Sequence, residues 1–252
     1  MKILKIGGSL IAPKSSDKPL FQKDVMDEIA AALSSYVAKN KQLVIVHGAG
    51  SFGHLLVKKA GFSGIKTKED EKNAAEIHAS CRQLSKNVIN SLAEKGIQVT
   101  YIDPSKVIVQ RGGRITRFDT SEIESQLAKR IIPVLHGDIV PDEIFGASVC
   151  SGDQIVAWLA NKADAVVFAT DVDGVLDKNG NIIKMINKKN VRVALKHISG
   201  ARNDVTGGMR GKVLEILKSN VPTWIVNGRH PERIVEALSG KQTVGTLITP
   251  DK

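Results

Sequence analysis

Short runs of consecutive apolar residues alternate along the chain with longer segments whose apolar residues recur at helical spacing. Residues 43–46 and 165–169 are continuous apolar runs, as expected for strands that are buried on both faces. Residues 21–39 and 69–95 carry amphipathic helical patterns, and Gly96 ends the second. This alternation predicts a doubly wound α/β fold with a mainly parallel central sheet.

The remaining apolar runs predict further elements in the same alternation. A β-hairpin is predicted at residues 107–118 around a Gly112-Gly113 turn. Further helices are predicted from Asp153, as the capping residue, to about Asn161, at 208–218, and onward from Pro231. Further strands are predicted at residues 2–6, 99–102, 131–135, 223–226 and 244–248, the last at an edge. We find no internal repeat and no linker, so a single domain is expected over residues 1–252.

The amino-acid composition limits the kinds of molecule that the protein is expected to bind. Aromatic residues make up only 4% of the 252 residues, so the core must consist of Val, Ile, Leu and Ala. The net charge of +10 is compatible with nucleic acids, anionic membranes or small anionic substrates. A single-strand binder would combine basic residues with aromatic stacking residues. Because the basic residues are spread along the chain, and the densest cluster at 184–192 contains no aromatic residue, we interpret the excess as a solvated face plus phosphate-binding lysines.

The cysteines and the apolar runs bear on location. Cys81 and Cys150 are too few for a disulfide scaffold or a cysteine-rich metal site, and we expect two buried reduced thiols. No apolar run approaches the roughly 20 residues that a membrane-spanning helix needs. The first residues show no signal-peptide pattern. We therefore expect a cytoplasmic protein with neither membrane nor nucleic-acid partners.

Three glycine-rich loops follow predicted strands. Glycines let backbone N–H groups approach phosphate oxygens closely, and a following helix adds the positive end of its dipole. Each loop also has a plainer interpretation as a turn or a helix start, and neither the Walker nor the dinucleotide pattern matches. The loops are residues 5–9 (KIGGS), 47–54 (HGAGSFGH) and 204–212 (DVTGGMRGK).

Charged residues in and near these loops suggest phosphoryl transfer. Lys5 and Lys212 could reach a phosphate, and His54 would face whatever its loop binds, although an isolated histidine more often lies on a helix surface. Asp153 opens a predicted helix, and Asp171 follows a predicted strand. No Ser-His-Asp order, zinc-ligand spacing or closely paired catalytic carboxylates stand out in the sequence. Lysines, glycine loops and magnesium suit phosphoryl transfer, in which the protein mainly positions groups and neutralises charge.

Taken together, these segments resemble the amino acid kinase superfamily over nearly the whole chain. The matching segments are residues 5–9, 48–50, 151–153, 170–175 and 206–212, in the family's order. Within the superfamily, residues 47–54, Lys14 and residues 136–138 resemble the isopentenyl phosphate kinases. That resemblance implies a three-layer αβα sandwich, a homodimer, and ATP-dependent conversion of isopentenyl phosphate to isopentenyl diphosphate with Mg²⁺. It also implies that the N-terminal part binds the acceptor and that roughly residues 150–252 bind the nucleotide.

The resemblance assigns roles to individual positions, with no residue assigned as a direct metal ligand. The implied catalytic residues are Lys5, Lys14, His54, Asp153 and Lys212. The implied ATP-binding residues are Lys5, Ile6, Gly7, Gly8, Ser9, Gly50, Asp171, Asp173, Leu176, Gly208 and Lys212. The implied acceptor-binding residues are Ala49, Gly53, His54 and Gly152.

The identity of the acceptor is the least determined feature at this point. An apolar pocket for its tail is expected among Phe52, Leu55, Leu56, Phe62, Ile77, Ile144 and Phe145. Apolar pockets discriminate single methylene changes by only about 1–3 kcal/mol, so selectivity for the tail is expected to be loose. A fosfomycin kinase, or another phosphate or phosphonate kinase, is the alternative. A non-catalytic nucleotide-binding regulator is less favoured, because such a protein would be expected to lack the catalytic lysines.

Overall fold

The computed structural model describes residues 1–198, 208–219 and 221–249. The strands of this part are β1 (Lys2–Ile6), β2 (Leu43–His47), β3 (Val99–Tyr101), β4 (Ile108–Arg111), β5 (Arg114–Phe118), β6 (Ile132–His136), β7 (Asp138–Asp142), β8 (Gly146–Cys150), β9 (Ala165–Thr170), β10 (Met185–Ile186), β11 (Thr223–Asn227) and β12 (Thr246–Ile248). The helices are α1 (Gly8–Ile11), α2 (Lys23–Lys39), α3 (Gly50–Ala60), α4 (Lys68–Glu94), α5 (Pro104–Val107), α6 (Ser121–Ala128), α7 (Gly152–Ala160), α8 (Val191–His197), α9 (Gly208–Ile216) and α10 (Pro231–Leu238).

Eight strands form the central sheet, in the order β10-β12-β11-β9-β1-β2-β6-β3. All neighbouring pairs are parallel except β11 and β12. The predicted mainly parallel sheet is therefore confirmed. One detail was wrong: β12 is not an edge strand, because β10 pairs with its outer side and takes the edge. Part of the basic run at 184–192 thus forms the edge of the sheet.

Helices cover both faces of this sheet, as expected for a three-layer αβα sandwich. Successive residues of β1 point to opposite faces, so Ile3 packs in one core cluster and Leu4 in the other. The first cluster includes Ile155 of α7 and Val213 of α9. The second includes residues of α2, α4 and α10. No helix within the described ranges is long and apolar enough to cross a membrane.

A smaller sheet of four strands, in the order β5-β4-β7-β8, lies outside the central sheet. The β4–β5 hairpin was predicted, whereas β7 and β8 were not. The Asp142 carboxylate ties the two hairpins together, because it accepts hydrogen bonds from the backbone N–H groups of Gly112 at 3.0 Å and Gly113 at 2.7 Å and from the Ser148 hydroxyl at 2.7 Å. Burial of this carboxyl would raise its pKa, but these bonds hold the pKa of Asp142 well below its usual range.

Candidate active site

The first two glycine loops meet where β1 and β2 end side by side. A Cβ atom placed on Gly8 would lie 2.5 Å from the backbone nitrogen of Gly50, so any larger residue would push the loops apart. Gly50 has a φ of +49°, a conformation that favours glycine. The backbone N–H of Ser51 donates to the Ala12 carbonyl at 2.9 Å and fixes this approach. The glycines of both loops therefore let two backbone segments share one edge of the sheet.

Asp153 joins the two lysines that the sequence singled out. The Lys5 ammonium lies 2.9 Å from Asp153 Oδ1, and the Lys212 ammonium lies 2.8 Å from Oδ2. The three side chains come from β1, α7 and α9 and are each less than 15% exposed. The Phe168 ring lies beneath both ammonium groups, 5.9 Å from that of Lys5 and 5.0 Å from that of Lys212.

Burial and charge set the protonation of this group. Burial lowers the pKa of Lys5, the charge of Asp153 raises it and the charge of Lys212 lowers it, with a resulting pKa of about 8. Burial would raise the pKa of Asp153, but the charges of Lys212 and Lys5 hold it well below its usual range. Two ammonium groups around one carboxylate leave a net positive charge that suits a phosphate chain.

The helix that carries Asp153 begins differently from the prediction. Ser151, not Asp153, is the capping residue of α7, since its hydroxyl accepts a hydrogen bond from the backbone N–H of Gln154 at 3.2 Å. Asp153 lies in the first helical turn instead, which frees its carboxylate for the two lysines. The favourable interaction of a carboxylate with the N-terminal end of a helix dipole adds to their attraction.

One cavity of about 260 Å³ brings most of the predicted residues together. Lys14 and His54, the residues assigned to the acceptor side, are half-buried in its wall. Exposed Asp171 lines it as well. The other predicted residues in its wall are Lys5, Gly7, Gly8, Ser9, Ala49, Gly50, Gly53, Gly152, Asp153, Gly208 and Lys212.

Three predicted ATP-binding residues do not line this cavity. The Ile6 side chain is buried in the core, and only its carbonyl serves the loops, accepting a hydrogen bond from the Gly48 N–H at 3.0 Å. The Asp173 carboxylate lies 2.6 Å from the Arg233 guanidinium, and Leu176 forms an isolated bridge with Ile182. Residues 204–207 of the third glycine loop lie outside the described ranges.

The apolar part of the wall differs from the predicted tail pocket. Of the seven residues predicted there, only Ile77 lines the cavity. Phe52 and Phe62 are buried in core clusters, whereas Ile144 and Phe145 are 59% and 39% exposed on the β7–β8 turn. The apolar residues and cysteines of the cavity wall that the prediction missed are Val57, Cys81, Ile139, Val149, Cys150, Val172 and Met209. Ile139, Val149 and Cys150 come from β7 and β8, so recognising those two strands would have found the largest group of them.

A buried polar network lies behind this wall and was not predicted. His78 and Asp138 share a hydrogen bond of 2.7 Å that raises the pKa of His78. The Nδ1–H of His136 donates to the Gly137 carbonyl at 3.0 Å, which leaves Nε2 to accept from the Tyr101 hydroxyl at 3.0 Å. Among the described residues, donor atoms of His78, Asp103 and Asp138 lie within 4.8 Å of one another, the spacing at which three side chains could share a cation.

Comparison with known proteins agrees with this geometry. The model of the amino acid kinase family matches residues 1–227. The chain is 38% identical to isopentenyl phosphate kinase of Methanocaldococcus jannaschii over 98% of both chains. It is 35% identical to isopentenyl phosphate kinase of Methanothermobacter thermautotrophicus over 99% of both. An X-ray structure of an isopentenyl phosphate kinase superposes with a TM-score of 0.83 at 32% identity, over 98% of this chain and 100% of that one. The chain therefore belongs to the amino acid kinase family.

Proposed function

We propose that this protein transfers the γ-phosphoryl group of ATP to isopentenyl phosphate and so forms isopentenyl diphosphate and ADP. The observation that carries the proposal is a single cavity that combines Lys5, Asp153 and Lys212 with Lys14, His54 and an apolar wall. Relatives named isopentenyl phosphate kinase, matched over nearly their full length, support the same acceptor.

In the proposed reaction an oxygen of the acceptor phosphate attacks the γ-phosphorus, and the bond from that phosphorus to the bridging oxygen of ADP breaks. The second pKa of a phosphate monoester is about 6, so the attacking oxygen is already ionised near neutral pH. No general base is needed. The task of the protein is to hold two polyanions in line and to stabilise the charge that develops between them.

The cavity residues divide this task. Lys5 and Lys212 hold the ATP phosphates, and Asp153 keeps both ammonium groups in place. Lys14 neutralises the transferring group from the acceptor side, and His54 binds the acceptor phosphate. Backbone N–H groups at the starts of α1, α3, α7 and α9 donate to the phosphates, at Gly8, Ser9, Ala49, Gly50, Gly152 and Gly208. The N–H groups of Gly7 and Gly53 already donate to the carbonyls of Ala169 and Ala49, so these two glycines contribute close backbone approach instead. Ile6, Asp171, Asp173 and Leu176 stay predictions for the nucleotide side.

Mg²⁺ is proposed to arrive with the nucleotide. Both oxygens of Asp153 are engaged by lysines, and Asp171 is exposed at the cavity wall, so the donor set suits a cation carried mainly by phosphate oxygens and water. When bound, the ion would neutralise charge on the β- and γ-phosphates. Asp171 is the side chain placed to contact it through water.

Fosfomycin and other phosphonates are the competing acceptors, since the same lysines and histidine would bind them. The apolar wall formed by Val57, Ile77, Ile139 and Val149 favours an alkenyl tail over a small polar one. Side-by-side kcat/KM values for isopentenyl phosphate, fosfomycin, glutamate and acetylglutamate test the choice. We expect the kcat/KM for isopentenyl phosphate to exceed the values for the other acceptors by at least about tenfold. The reason is that apolar contacts with the tail contribute on the order of 1–3 kcal/mol. A higher kcat/KM for fosfomycin would reassign the enzyme.

The proposal also covers the domain organisation and the oligomeric state of the protein. We infer a single domain in which the part before about residue 150 binds the acceptor and the remainder binds the nucleotide, because Lys14 and His54 precede that point and Asp171 and Lys212 follow it. The family resemblance also suggests a homodimer, which light scattering would reveal as twice the chain mass of 27.1 kDa. A cytoplasmic location stays a prediction of the sequence.

A further inference from the structure

An ion pair outside the main cavity joins the small sheet to the helix that carries Lys212. The Arg114 guanidinium, at the start of β5, donates from one nitrogen to Glu215 Oε1 at 2.7 Å and from the other to Oε2 at 3.1 Å. This two-point geometry is the stronger form of an arginine–carboxylate pair. The Glu215 side chain is 16% exposed and the Arg114 side chain is 51% exposed, so water screens the pair from the arginine side and its main contribution is geometric.

The same hairpin also holds the beginning of α7. The Gln154 side-chain amide donates to the Gly113 carbonyl at 3.2 Å, and the Gln110 amide donates to Gln154 Oε1 at 3.3 Å. Gln154 directly follows Asp153 along the chain. The hairpin turn is itself held by the Asp142 carboxylate. The hairpin thus contacts the neighbours of two residues of the phosphate site without touching the site itself.

The Lys212–Asp153 ion pair completes a ring of contacts. Glu215 lies three residues after Lys212, so both side chains fall on one side of α9. Arg114 links the hairpin to α9, Gln154 links it to α7, and the Lys212–Asp153 pair at 2.8 Å links α9 to α7. The ring surrounds a cavity of about 220 Å³, whose walls include Arg114, Ser151, Asp153, Gln154, Gly211 and Glu215.

An open space of this size matters because no packed side chains fill it. Two described core residues of α9, Val213 and Ile216, anchor the other side of the helix. On the side of α9 that faces this cavity, no packed side chains hold the helix, and the Glu215–Arg114 ion pair connects it to the hairpin. Lys218 also contacts Glu215, at 2.9 Å, but it lies on the same chain segment and cannot hold α9 to the hairpin.

We propose that Arg114 and Glu215 are positioning residues that fix α9 at the distance at which Lys212 meets Asp153 and the ATP phosphates. Losing the pair lets α9 shift toward the open cavity, which moves Lys212 and the first turn of α9 away from the nucleotide. ATP affinity and turnover then fall, whereas acceptor affinity, which depends on the Lys14 and His54 side chains away from α9, does not change. This inference rests on the proposed placement of ATP at Lys5 and Lys212.

A double-mutant cycle tests the proposal. The variants are Arg114→Met, Glu215→Gln and the double variant, and Lys218→Met is the matched control because it removes the other cation at Glu215. Two quantities are measured: the Kd of a non-hydrolysable ATP analogue by calorimetry, and kcat with KM for each substrate. Each single variant is expected to weaken analogue binding about three- to tenfold and to lower kcat, since changes of contact networks near a site are typically worth such factors.

The pattern across variants decides the outcome. The double variant should equal either single variant, because one shared contact is lost once. The KM for isopentenyl phosphate in each variant should match the wild-type value. The Kd of Lys218→Met for the ATP analogue should match it as well. Additive losses, an equal effect of Lys218→Met, or unchanged analogue binding in Arg114→Met would overturn the proposal. Because analogue binding needs no acceptor, this failure is distinct from failure of the proposed function, which would show as a wild type that binds ATP and forms no diphosphate.

Discussion

At the scale of single residues, the proposed function assigns the acceptor phosphate to His54. Its imidazole lies in the wall of the main cavity, on α3 behind the second glycine loop. Removing a group that binds the reacting phosphate should cost far more in turnover than in nucleotide binding, because ATP is held by other residues.

His54→Ala is therefore expected to lower kcat/KM for isopentenyl phosphate by about a hundredfold or more, as loss of a single charge-stabilising donor does in other enzymes. The Kd for ATP should stay within about twofold, in line with the ordinary scatter among variants distant from a ligand. Steady-state kinetics and calorimetry measure the two quantities. His230→Ala, a half-exposed histidine away from the cavity, is the control. Wild-type kcat/KM in His54→Ala would remove this residue from the site.

The proposed contact of Lys5 with ATP predicts that ATP binding depends on pH. Burial lowers the pKa of Lys5 to about 8, so the free protein loses the Lys5 charge as the pH rises through that value. Bound phosphates favour the charged form. ATP affinity should therefore fall as the pH rises through about 8 toward 10, with uptake of up to one proton on binding in that range.

Calorimetry in buffers of different ionisation heat measures both the affinity and the proton uptake. Lys5→Met should bind ATP more weakly and lack the pH dependence. The same lowered pKa bears on folding: the unfolded chain binds more protons than the folded one between pH 8 and about 10.4, so this group adds stability as the pH rises through that window. An ATP affinity independent of pH up to 10 would show that Lys5 is not the group that titrates.

At the scale of elements, the glycine loops are defined by close backbone approach. Gly50 and Gly61 have nearly the same φ, +49° and +57°, at the two ends of α3. A Cβ on Gly61 would meet nothing within 4 Å, whereas one on Gly50 would collide with the Ala12 backbone. Substituting these two glycines therefore separates the energetic cost of a left-handed backbone from the cost of a steric clash.

Gly61→Ala should lower the free energy of unfolding by about 1 kcal/mol, the usual penalty for a left-handed alanine. Gly50→Ala carries the same penalty plus displacement of the first loop, so its loss should be several times larger and should abolish ATP binding. Urea unfolding and calorimetry give the two measurements. Equal losses of stability in both variants would mean that the loops tolerate separation and that their contact does not shape the site.

The same elements show what the sequence could predict. β2 and β9 were found because strands buried on both faces are nearly continuously apolar, a pattern that depends on no distant residue. β7 was missed because Asp138 and Asp142 stand at its ends, where they are buried through partners such as His78 and Ser148. β8 was missed because Gly146 and Ser148 interrupt its apolar residues. The tail pocket was mispredicted for the same reason, since Ile139 and Val149 lie on those strands.

At the scale of the whole molecule, the site ties the two halves of the chain together. Lys5 comes from the first strand, Asp153 from the middle of the chain, and Lys212 from near its end. The sequence predicted these residues only in part. Their proximity arises from the order of the strands in the folded sheet, which no local pattern specifies. A ligand that contacts all three should stabilise the entire fold.

ATP at a hundred times its Kd should add about 2.7 kcal/mol to the free energy of unfolding by mass action. For a chain of this size that corresponds to a rise in Tm of roughly 5–10 °C. Differential scanning calorimetry measures the shift. Lys212→Met should lose most of it at the same ATP concentration, whereas Lys218→Met, in the turn just after α9, should keep it. A full shift in Lys212→Met would place ATP elsewhere.

Identification of the product is the most direct test of the proposed phosphorylation of isopentenyl phosphate. The purified protein is incubated with ATP, Mg²⁺ and isopentenyl phosphate, and the reaction is followed by ³¹P NMR. We expect the monoester signal of the acceptor to be replaced by the paired signals of isopentenyl diphosphate, in a one-to-one ratio with ADP. ADP formed without that diphosphate, or an unchanged acceptor signal while ATP binds, would contradict it.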